Sequence, residues 1–387
     1  LYDGDEAFRR AIERCDSILH SVLGVCLSEV LYADVHNKWT PAQASEIIGD
    51  TRYAQPLLVA FEYCVCEAWR AKGHLPSAVV GHSLGEYAAA VIAGVMTVED
   101  CLELVSLRAK LVHECSECAG SMAAVRASRV DAEAFIEMAG TTGSTSVAAV
   151  NGERSVVISG SDEAVERVLG LMESASVVGR RLNVRHAFHS PLLSSITEDY
   201  ETVLSGIRLE APSIPMISTV RGHRDIASDI VLPRYWLDHL LQPVLFQEAI
   251  EKAWDEGGRV FVEMGPDRTL SKLGPSILRG YSASVPHEGK DAGVRWYSGL
   301  DMTSKYDEVV ASIGQCESMG PSSLRSARGE RPGDRVQRYP QREGRCHRML
   351  QQSHREPFSG VSVITARLHA GIMTDWLGDH VLHGHVV

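Results

Sequence analysis

Long hydrophobic runs, an excess of positive charge and a regular cysteine pattern are all missing from this sequence of 387 residues. The longest apolar run, from Ala88 to Met96, is too short to cross a bilayer, and no signal peptide opens the chain. We therefore expect no membrane partner and a cytoplasmic location. The formal net charge is −12, so the chain lacks the excess of basic residues that binding to a phosphate backbone requires. We therefore expect no nucleic-acid partner either.

Cysteines are irregularly spaced and show no pairing pattern. There are nine of them, an odd number, which is typical of a protein from a reducing compartment. Cys115 and Cys118 form a lone CxxC motif, whereas a structural zinc site needs four ligands. We therefore predict no metal site.

The most informative motif that is present is Gly-His-Ser-Leu-Gly at residues 81–85. A short apolar segment before it predicts a strand, and the alanine-rich segment after it predicts a helix. A strand that turns into a helix through Gly-x-Ser-x-Gly is a nucleophile elbow, which exposes the serine hydroxyl of Ser83. The backbone N–H of Leu84 and the start of the helix would then stabilise an oxyanion. The alternative is a glycine-rich turn that carries an incidental serine.

Helix and strand patterns alternate from residue 1 to about residue 295, which predicts an α/β domain over 1–295. From about 120 to 185 the order changes to strand, helix, strand, strand, helix, strand, which is the ferredoxin-like βαββαβ unit. Asn151-Gly152 is predicted to be the hairpin turn inside this unit. A small subdomain inserted in a larger one predicts a cleft between the two.

The composition changes after residue 295. Residues 321–357 contain nine of the 38 Lys and Arg residues but few apolar positions, so they cannot bury a core. We predict a largely irregular linker over 296–358. A folded-looking pattern returns at about residue 359 and continues to Val387.

His189 is a candidate base for Ser83. It follows directly on the last predicted strand of the inserted unit, and loops at strand ends are where catalytic groups are often placed. A structural histidine is the alternative, because the chain has sixteen histidines and most of them cannot be catalytic.

Arg108 interrupts an apolar helical stripe. Residues 101, 104, 105, 111 and 112 of the helix predicted after Thr97 are apolar and share one face with Arg108. An inward-facing guanidinium must meet an anion, because a buried unpaired charge is costly. The anion is either a carboxylate of a substrate or a partner within the protein, and a snorkelling side chain is a third possibility.

These residues leave three functional classes open. One is a serine esterase or thioesterase of the α/β-hydrolase class, which needs a late Asp or Glu paired with a histidine, and no clear pair follows residue 190. Another is an acyl-transfer enzyme that holds a charged acyl group. The third is a catalytically inactive docking module. The inserted unit and Arg108 favour acyl transfer.

Several motifs, in order and at matching spacing over about residues 1–290, resemble the acyltransferase domain of polyketide synthases, a family that includes the malonyl-CoA:acyl-carrier-protein transacylases. The motifs are Tyr-Ala-Gln-Pro at 53–56, Gly-His-Ser-Leu-Gly-Glu-Tyr at 81–87, Ser-Leu-Arg at 106–108, His-Ala-Phe-His-Ser at 186–190 and Val-Glu-Met-Gly-Pro at 262–266. The resemblance implies a large α/β-hydrolase-like subdomain with the ferredoxin-like unit inserted in it.

The resemblance also implies a role for each site residue. Ser83 would be the nucleophile, His189 its base and Arg108 the clamp on the malonyl carboxylate. Gln55 would line the pocket, and the main-chain carbonyl of His239 would orient His189. No bound cofactor is implied. The substrates would be malonyl-CoA and the phosphopantetheine thiol of an acyl carrier protein, which would be the partner.

The resemblance also implies a preference for malonyl. His82, His186 and Phe188 would contact the substrate, and the His-Ala-Phe-His form at 186–189 is the one found in malonyl-selective members of the family. Phe188 would fill the space beside the acyl α-carbon, so we expect it to disfavour a methyl branch by roughly 10- to 200-fold, without excluding it.

Two further points concern the ends of the sequence. The family's opening strand, with a Gly-Gln-Gly-Ser loop that supplies a second oxyanion contact, has no counterpart here, so we expect weaker oxyanion stabilisation.

Asp-His-Val-Leu-His-Gly at 379–384 resembles the start of a polyketide synthase dehydratase domain, a truncated hotdog fold over 359–387. His380 would be its catalytic base, inert without the missing half, and Gly384 part of its signature. Ketosynthase and dehydratase domains would then be neighbours in the same synthase.

Overall fold

The computed structural model describes residues 1–36, 38–224, 227–284, 294–302, 307, 308, 310–312 and 361–365. The α-helices among them are α1 Glu6–Leu23, α2 Leu27–Leu31, α3 Ala33–His36, α4 Pro41–Gly49, α5 Thr51–Ala71, α6 Gly85–Ala93, α7 Val98–Glu114, α8 Arg129–Met138, α9 Asp162–Ser174, α10 Thr197–Leu204, α11 Ala227–Ile230, α12 Pro233–Leu241, α13 Phe246–Asp255 and α14 Thr269–Ser284. The strands are β1 Ala78–Gly81, β2 Ser121–Val125, β3 Thr145–Gly152, β4 Ser155–Gly160, β5 Gly179–Arg181, β6 Met216–Ser218, β7 His223–Arg224, β8 Val260–Glu263, β9 Arg295–Ser298 and β10 Val361–Thr365.

The larger of two sheets has six strands in the order β7-β6-β1-β10-β8-β9. All neighbours pair in parallel except β6 and β7, which are antiparallel at one edge. All four residues of β1 are buried, as are those of β8, and apart from Glu263 at the end of β8 both strands are apolar, as expected of strands that are covered on both faces. The motif at 81–85 therefore follows directly on an interior strand of this sheet.

The central strand β10 differs from the sequence expectation. We expected the segment from residue 359 to begin a separate dehydratase domain, but residues 361–365 pair in parallel with β1 on one side and with β8 on the other. The sequence of β10, Val-Ser-Val-Ile-Thr, is rich in β-branched residues, which fit a pleated sheet. The rest of the proposed dehydratase start, including His380 and Gly384, lies outside the described residues, as does most of the predicted linker.

The smaller sheet has the order β3-β4-β2-β5 with antiparallel pairing throughout. Its elements follow the predicted order of strand, helix, strand, strand, helix, strand. Helices α8 and α9 pack on it and bury a second apolar core, separate from that of the large unit. The turn between β3 and β4 lies at residues 153 and 154, not at Asn151-Gly152 as predicted, because the buried Asn151 side chain holds that residue within the strand.

Two helices position the pocket. α7 begins where predicted, with the Thr97 hydroxyl accepting a hydrogen bond from the Asp100 N–H. α5 begins at Thr51, and Asp50 caps it by accepting a hydrogen bond from the Arg52 N–H. None of the helices in the described part of the chain combines the length and apolarity that a bilayer crossing requires.

Candidate active site

The nucleophile elbow forms where β1 ends and α6 begins. Ser83 has φ of 52°, in the left-handed region that non-glycine residues rarely adopt. Gly81 can only be glycine, because a Cβ there would lie 2.2 Å from the backbone N and Cα of Glu86. The tight turn explains both features, and it sets the serine at the N-terminus of α6.

Ser83 and His189 are in direct contact. The Ser83 Oγ lies 2.6 Å from His189 Nε2, and His189 is 4% exposed with φ of 57°. His189 Nδ1 lies 3.0 Å from the main-chain carbonyl of Gln242. A carbonyl can only accept, so Nδ1 carries the proton and Nε2 is free to accept the serine proton. This is the geometry of a serine and its general base.

The carbonyl that orients His189 belongs to Gln242 and not to His239, which corrects the sequence expectation. His239 lies inside the last turn of α12, whereas Gln242 follows the helix in an extended conformation, with φ of −81° and ψ of 158°. The His239 ring has a different partner, since its Nε2 lies 2.9 Å from the carbonyl oxygen of Ser83. The proline at 243 is the sequence signal for this carbonyl, because a residue before proline is held extended.

Arg108 is buried and has no carboxylate partner in the described part of the chain. It is 1% exposed, and its Nη1 donates a hydrogen bond to Gln55 Oε1. Its guanidinium carbon lies 5.7 Å from the centre of the Phe188 ring, and its Nε has no hydrogen-bond partner among the described residues. The internal ion pair that the sequence left open is therefore absent from the described residues.

Gln55 is held in place by a residue that the sequence did not single out. Its Nε2 donates to the Thr51 hydroxyl at 2.8 Å, one helical turn earlier on α5, and Gln55 is fully buried. The amide is thereby fixed with its oxygen toward Arg108. The sequence signal for this contact is a threonine four residues before the pocket glutamine, since residues four apart are neighbours on a helix.

The other predicted contact residues divide into two groups. His186 and Phe188 lie together, with ring centres 5.9 Å apart, and Phe188 faces Arg108. Burial, reinforced by the charge of His113, lowers the pKa of His186. His82 instead bonds Asn151 through Nε2 at 2.8 Å, so it ties the elbow to β3 of the small sheet.

Two other features of the site concern metal ligands and oxyanion donors. No three His, Cys, Asp or Glu side chains within the described ranges are grouped as metal ligands, and Cys115 and Cys118 are free thiols. The Leu84 N–H donates to no group of the described chain, and it follows the nucleophile at the helix start. Its role as an oxyanion donor stays a prediction.

The chain matches a known protein family. Residues 1–286 match the family model of the acyl transferase domain. Polyketide synthase GfsA of Streptomyces halstedii is 33% identical over 314 residues, covering 81% of this chain and 4% of its own length. Erythronolide synthase EryA3 of Saccharopolyspora erythraea is 37% identical over 264 residues, covering 68% of this chain and 8% of its own length. The chain thus spans a small part of the curated relatives that it matches.

Solved structures agree with this relationship. The acyltransferase domain from the second module of the salinomycin polyketide synthase is 30% identical with a TM-score of 0.67, covering 81% of this chain and 68% of that one. The malonyl CoA-acyl carrier protein transacylase from Coxiella burnetii is 26% identical with a TM-score of 0.61, covering 70% and 84%. The chain with the Ser83–His189 pair described above belongs to the acyl transferase domain family, in the form found in polyketide synthases.

Proposed function

We propose that this chain transfers a malonyl group from malonyl-CoA, through an ester on Ser83, to the phosphopantetheine thiol of an acyl carrier protein. The observation that carries the proposal is the buried Arg108 without a carboxylate partner among the described residues. A buried cation of this kind is costly unless an anion joins it, and a malonyl group brings a carboxylate to the pocket. The planar guanidinium suits bidentate binding of that carboxylate.

The acylation half-reaction uses the Ser83–His189 contact. His189 Nε2 takes the proton from Ser83 Oγ as the oxygen attacks the thioester carbonyl, and the Leu84 N–H stabilises the resulting oxyanion. The tetrahedral intermediate collapses, the carbon–sulfur bond breaks, and His189 returns the proton to the CoA thiolate. Malonyl-Ser83 and CoA are the products.

The second half-reaction reverses these roles with a new thiol. His189 takes the proton of the phosphopantetheine thiol, and the sulfur attacks the malonyl ester. The ester bond to Ser83 breaks, and His189 returns the proton to Ser83 Oγ. Arg108 holds the carboxylate in both steps, so the ester carbonyl keeps one orientation. No step requires a bound cofactor.

The finer substrate preference follows from Phe188. Phe188 is 7% exposed, and its ring lies beside the guanidinium that would bind the carboxylate. The acyl α-carbon, one bond from that carboxylate, would therefore be close to the ring. A methyl branch there would meet the ring, so we propose that malonyl is preferred over methylmalonyl, by roughly 10- to 200-fold.

A serine hydrolase is the second functional class, and the partner of His189 counts against it. The group that orients His189 is a main-chain carbonyl, whereas a hydrolase triad has a carboxylate in that place. The relatives are long polyketide synthases, so we propose a carrier protein and a ketosynthase domain as partners. A dehydratase neighbour stays a prediction from the motif at 379–384.

A loading experiment tests the anion requirement. The protein is mixed with malonyl-CoA or acetyl-CoA, and the acyl-enzyme is quantified by mass spectrometry of the intact chain. We expect rapid loading of malonyl and slow loading of acetyl, which has no carboxylate for Arg108. Equal loading of both would contradict the proposal.

A further inference from the structure

We propose that His239 is a positioning residue that holds and aims the peptide unit of the oxyanion donor, with the ring donating through Nε2 to the carbonyl oxygen of Ser83. The inference rests on the proposed function only in that the site forms an acyl-serine. It assigns a task to a side chain that none of the steps above uses.

The Ser83 carbonyl accepts two hydrogen bonds. His239 Nε2 lies 2.9 Å from it, and the Glu86 N–H, in the turn that starts α6, also lies 2.9 Å from it. A carbonyl oxygen has two lone pairs, so both are used. The oxygen is therefore fixed from two directions, by the helix and by a side chain from α12.

The same peptide unit carries the Leu84 N–H. A trans peptide is planar, and its C=O and N–H point in opposite directions, so a fixed oxygen fixes the direction of the N–H as well. Hydrogen bonds to the oxygen also polarise the unit, which strengthens the N–H as a donor. His239 thus acts on the oxyanion through the peptide bond, without touching the substrate.

The backbone at this position needs such support. Ser83 has φ of 52°, in the left-handed region that is unfavourable for a non-glycine residue. Without a second hydrogen bond, the peptide between residues 83 and 84 can rotate toward a more favourable conformation. That rotation would turn the N–H away from the oxyanion.

The surroundings of the His239 ring keep it neutral and in one tautomer. The residue is 1% exposed, and the ring packs edge-on against Tyr87 and beside Trp236, with centres 5.1 and 5.7 Å away. Nδ1 is buried without a hydrogen-bond partner among the described residues, so a second proton there would be unsatisfied. Burial, followed by the electrostatic interaction with His189 and Arg108, holds the pKa of His239 well below its usual range.

Two variants of similar length separate donation from packing. His239→Gln keeps an N–H at the reach of Nε2, whereas His239→Met fills the space without a donor. The probe is a neutral fluorophosphonate, because its adduct with Ser83 places an oxygen in the oxyanion site and needs neither malonyl nor Arg108. The rate of inactivation and the saturation constant for the probe are measured separately, alongside thermal unfolding of each variant.

We expect His239→Met to lower the maximal inactivation rate about tenfold with an unchanged saturation constant, and His239→Gln to recover most of that loss. The inference is overturned if the Met variant reacts at the wild-type rate, or if both folded variants lose the same activity. A separate result would contradict the proposed function: the wild-type protein would react with the phosphonate but form no adduct with malonyl-CoA.

Discussion

Replacement of Arg108 is expected to change activity and stability in opposite directions. The side chain is buried without a carboxylate partner in the described ranges, and it bonds only the Gln55 amide oxygen there. We expect Arg108→Met to lose malonyl transfer and, in the absence of substrate, to be more stable than the wild type. A residue that served only the fold would change both properties in the same direction.

The loss of activity follows from one charge-assisted contact. A bidentate bond between guanidinium and carboxylate in a dry pocket contributes about 2–3 kcal/mol, which corresponds to roughly 30- to 150-fold in kcat/KM for malonyl-CoA. Acetyl-CoA lacks the carboxylate and should lose far less. The ratio of malonyl to acetyl use should therefore fall by most of this factor.

The gain in stability follows from two opposing costs. An uncompensated buried charge costs several kcal/mol even after relaxation, and the methionine removes that cost. The Gln55 amide oxygen then loses its donor, which costs about 1–3 kcal/mol. The first cost is larger, so the free energy of unfolding should rise.

The assay compares Arg108→Met with Arg10→Met, which removes the same charge from an exposed pair with Glu6. The control should leave activity unchanged and alter the free energy of unfolding by less than about 1 kcal/mol. Denaturant unfolding and steady-state kinetics with both acyl-CoAs are measured. Equal losses for malonyl and acetyl, or a clear loss of stability, would refute the clamp assignment.

Three further predictions concern the nucleophile, the pocket wall and the elbow. Ser83→Ala should abolish the acyl-enzyme, whereas His189→Ala should slow both half-reactions by about 100- to 10,000-fold. Phosphonate labelling with peptide mapping tests whether Ser83 is the nucleophile, and a label on another residue would contradict that role. Phe188→Ser should narrow the preference for malonyl over methylmalonyl in a competition at equal concentrations, and an unchanged ratio would show that the ring is not the selective wall. Gly81→Ala should prevent folding, because its Cβ would lie 2.2 Å from helix backbone. Gly170→Ala, with open space at its Cβ, should instead raise the free energy of unfolding by about 0.5–1 kcal/mol. Similar unfolding midpoints for the two variants would contradict this prediction.

The parts of the site that the sequence predicted are those with a local signature. The elbow is visible because glycine spacing and the change from strand to helix pattern occur within a few residues. Arg108 is visible because a charge on an apolar stripe is an anomaly that the helical period reveals. The inserted unit is visible because its strands and helices follow one another along the chain.

The parts that the sequence did not predict depend on contacts between distant segments or on the backbone. The Gln242 carbonyl carries no side-chain signature, and the resemblance implies the carbonyl of His239, three residues earlier, in its place. β10 pairs with strands that lie about 100 residues or more away along the chain, and no local pattern specifies such pairing. Asn-Gly is a strong turn signal, so the sequence predicts a turn at Asn151, and only the contact with His82 shows otherwise.

The most direct test of the central claim follows the fate of a malonyl group. The protein is loaded with radiolabelled malonyl-CoA, freed of unreacted substrate, and mixed with a holo acyl carrier protein or with its apo form, which lacks the phosphopantetheine thiol. We predict label on Ser83 that persists in buffer and with the apo form, and moves to the holo form. Label released as free malonate at the same rate in all three samples would identify a hydrolase and contradict the account.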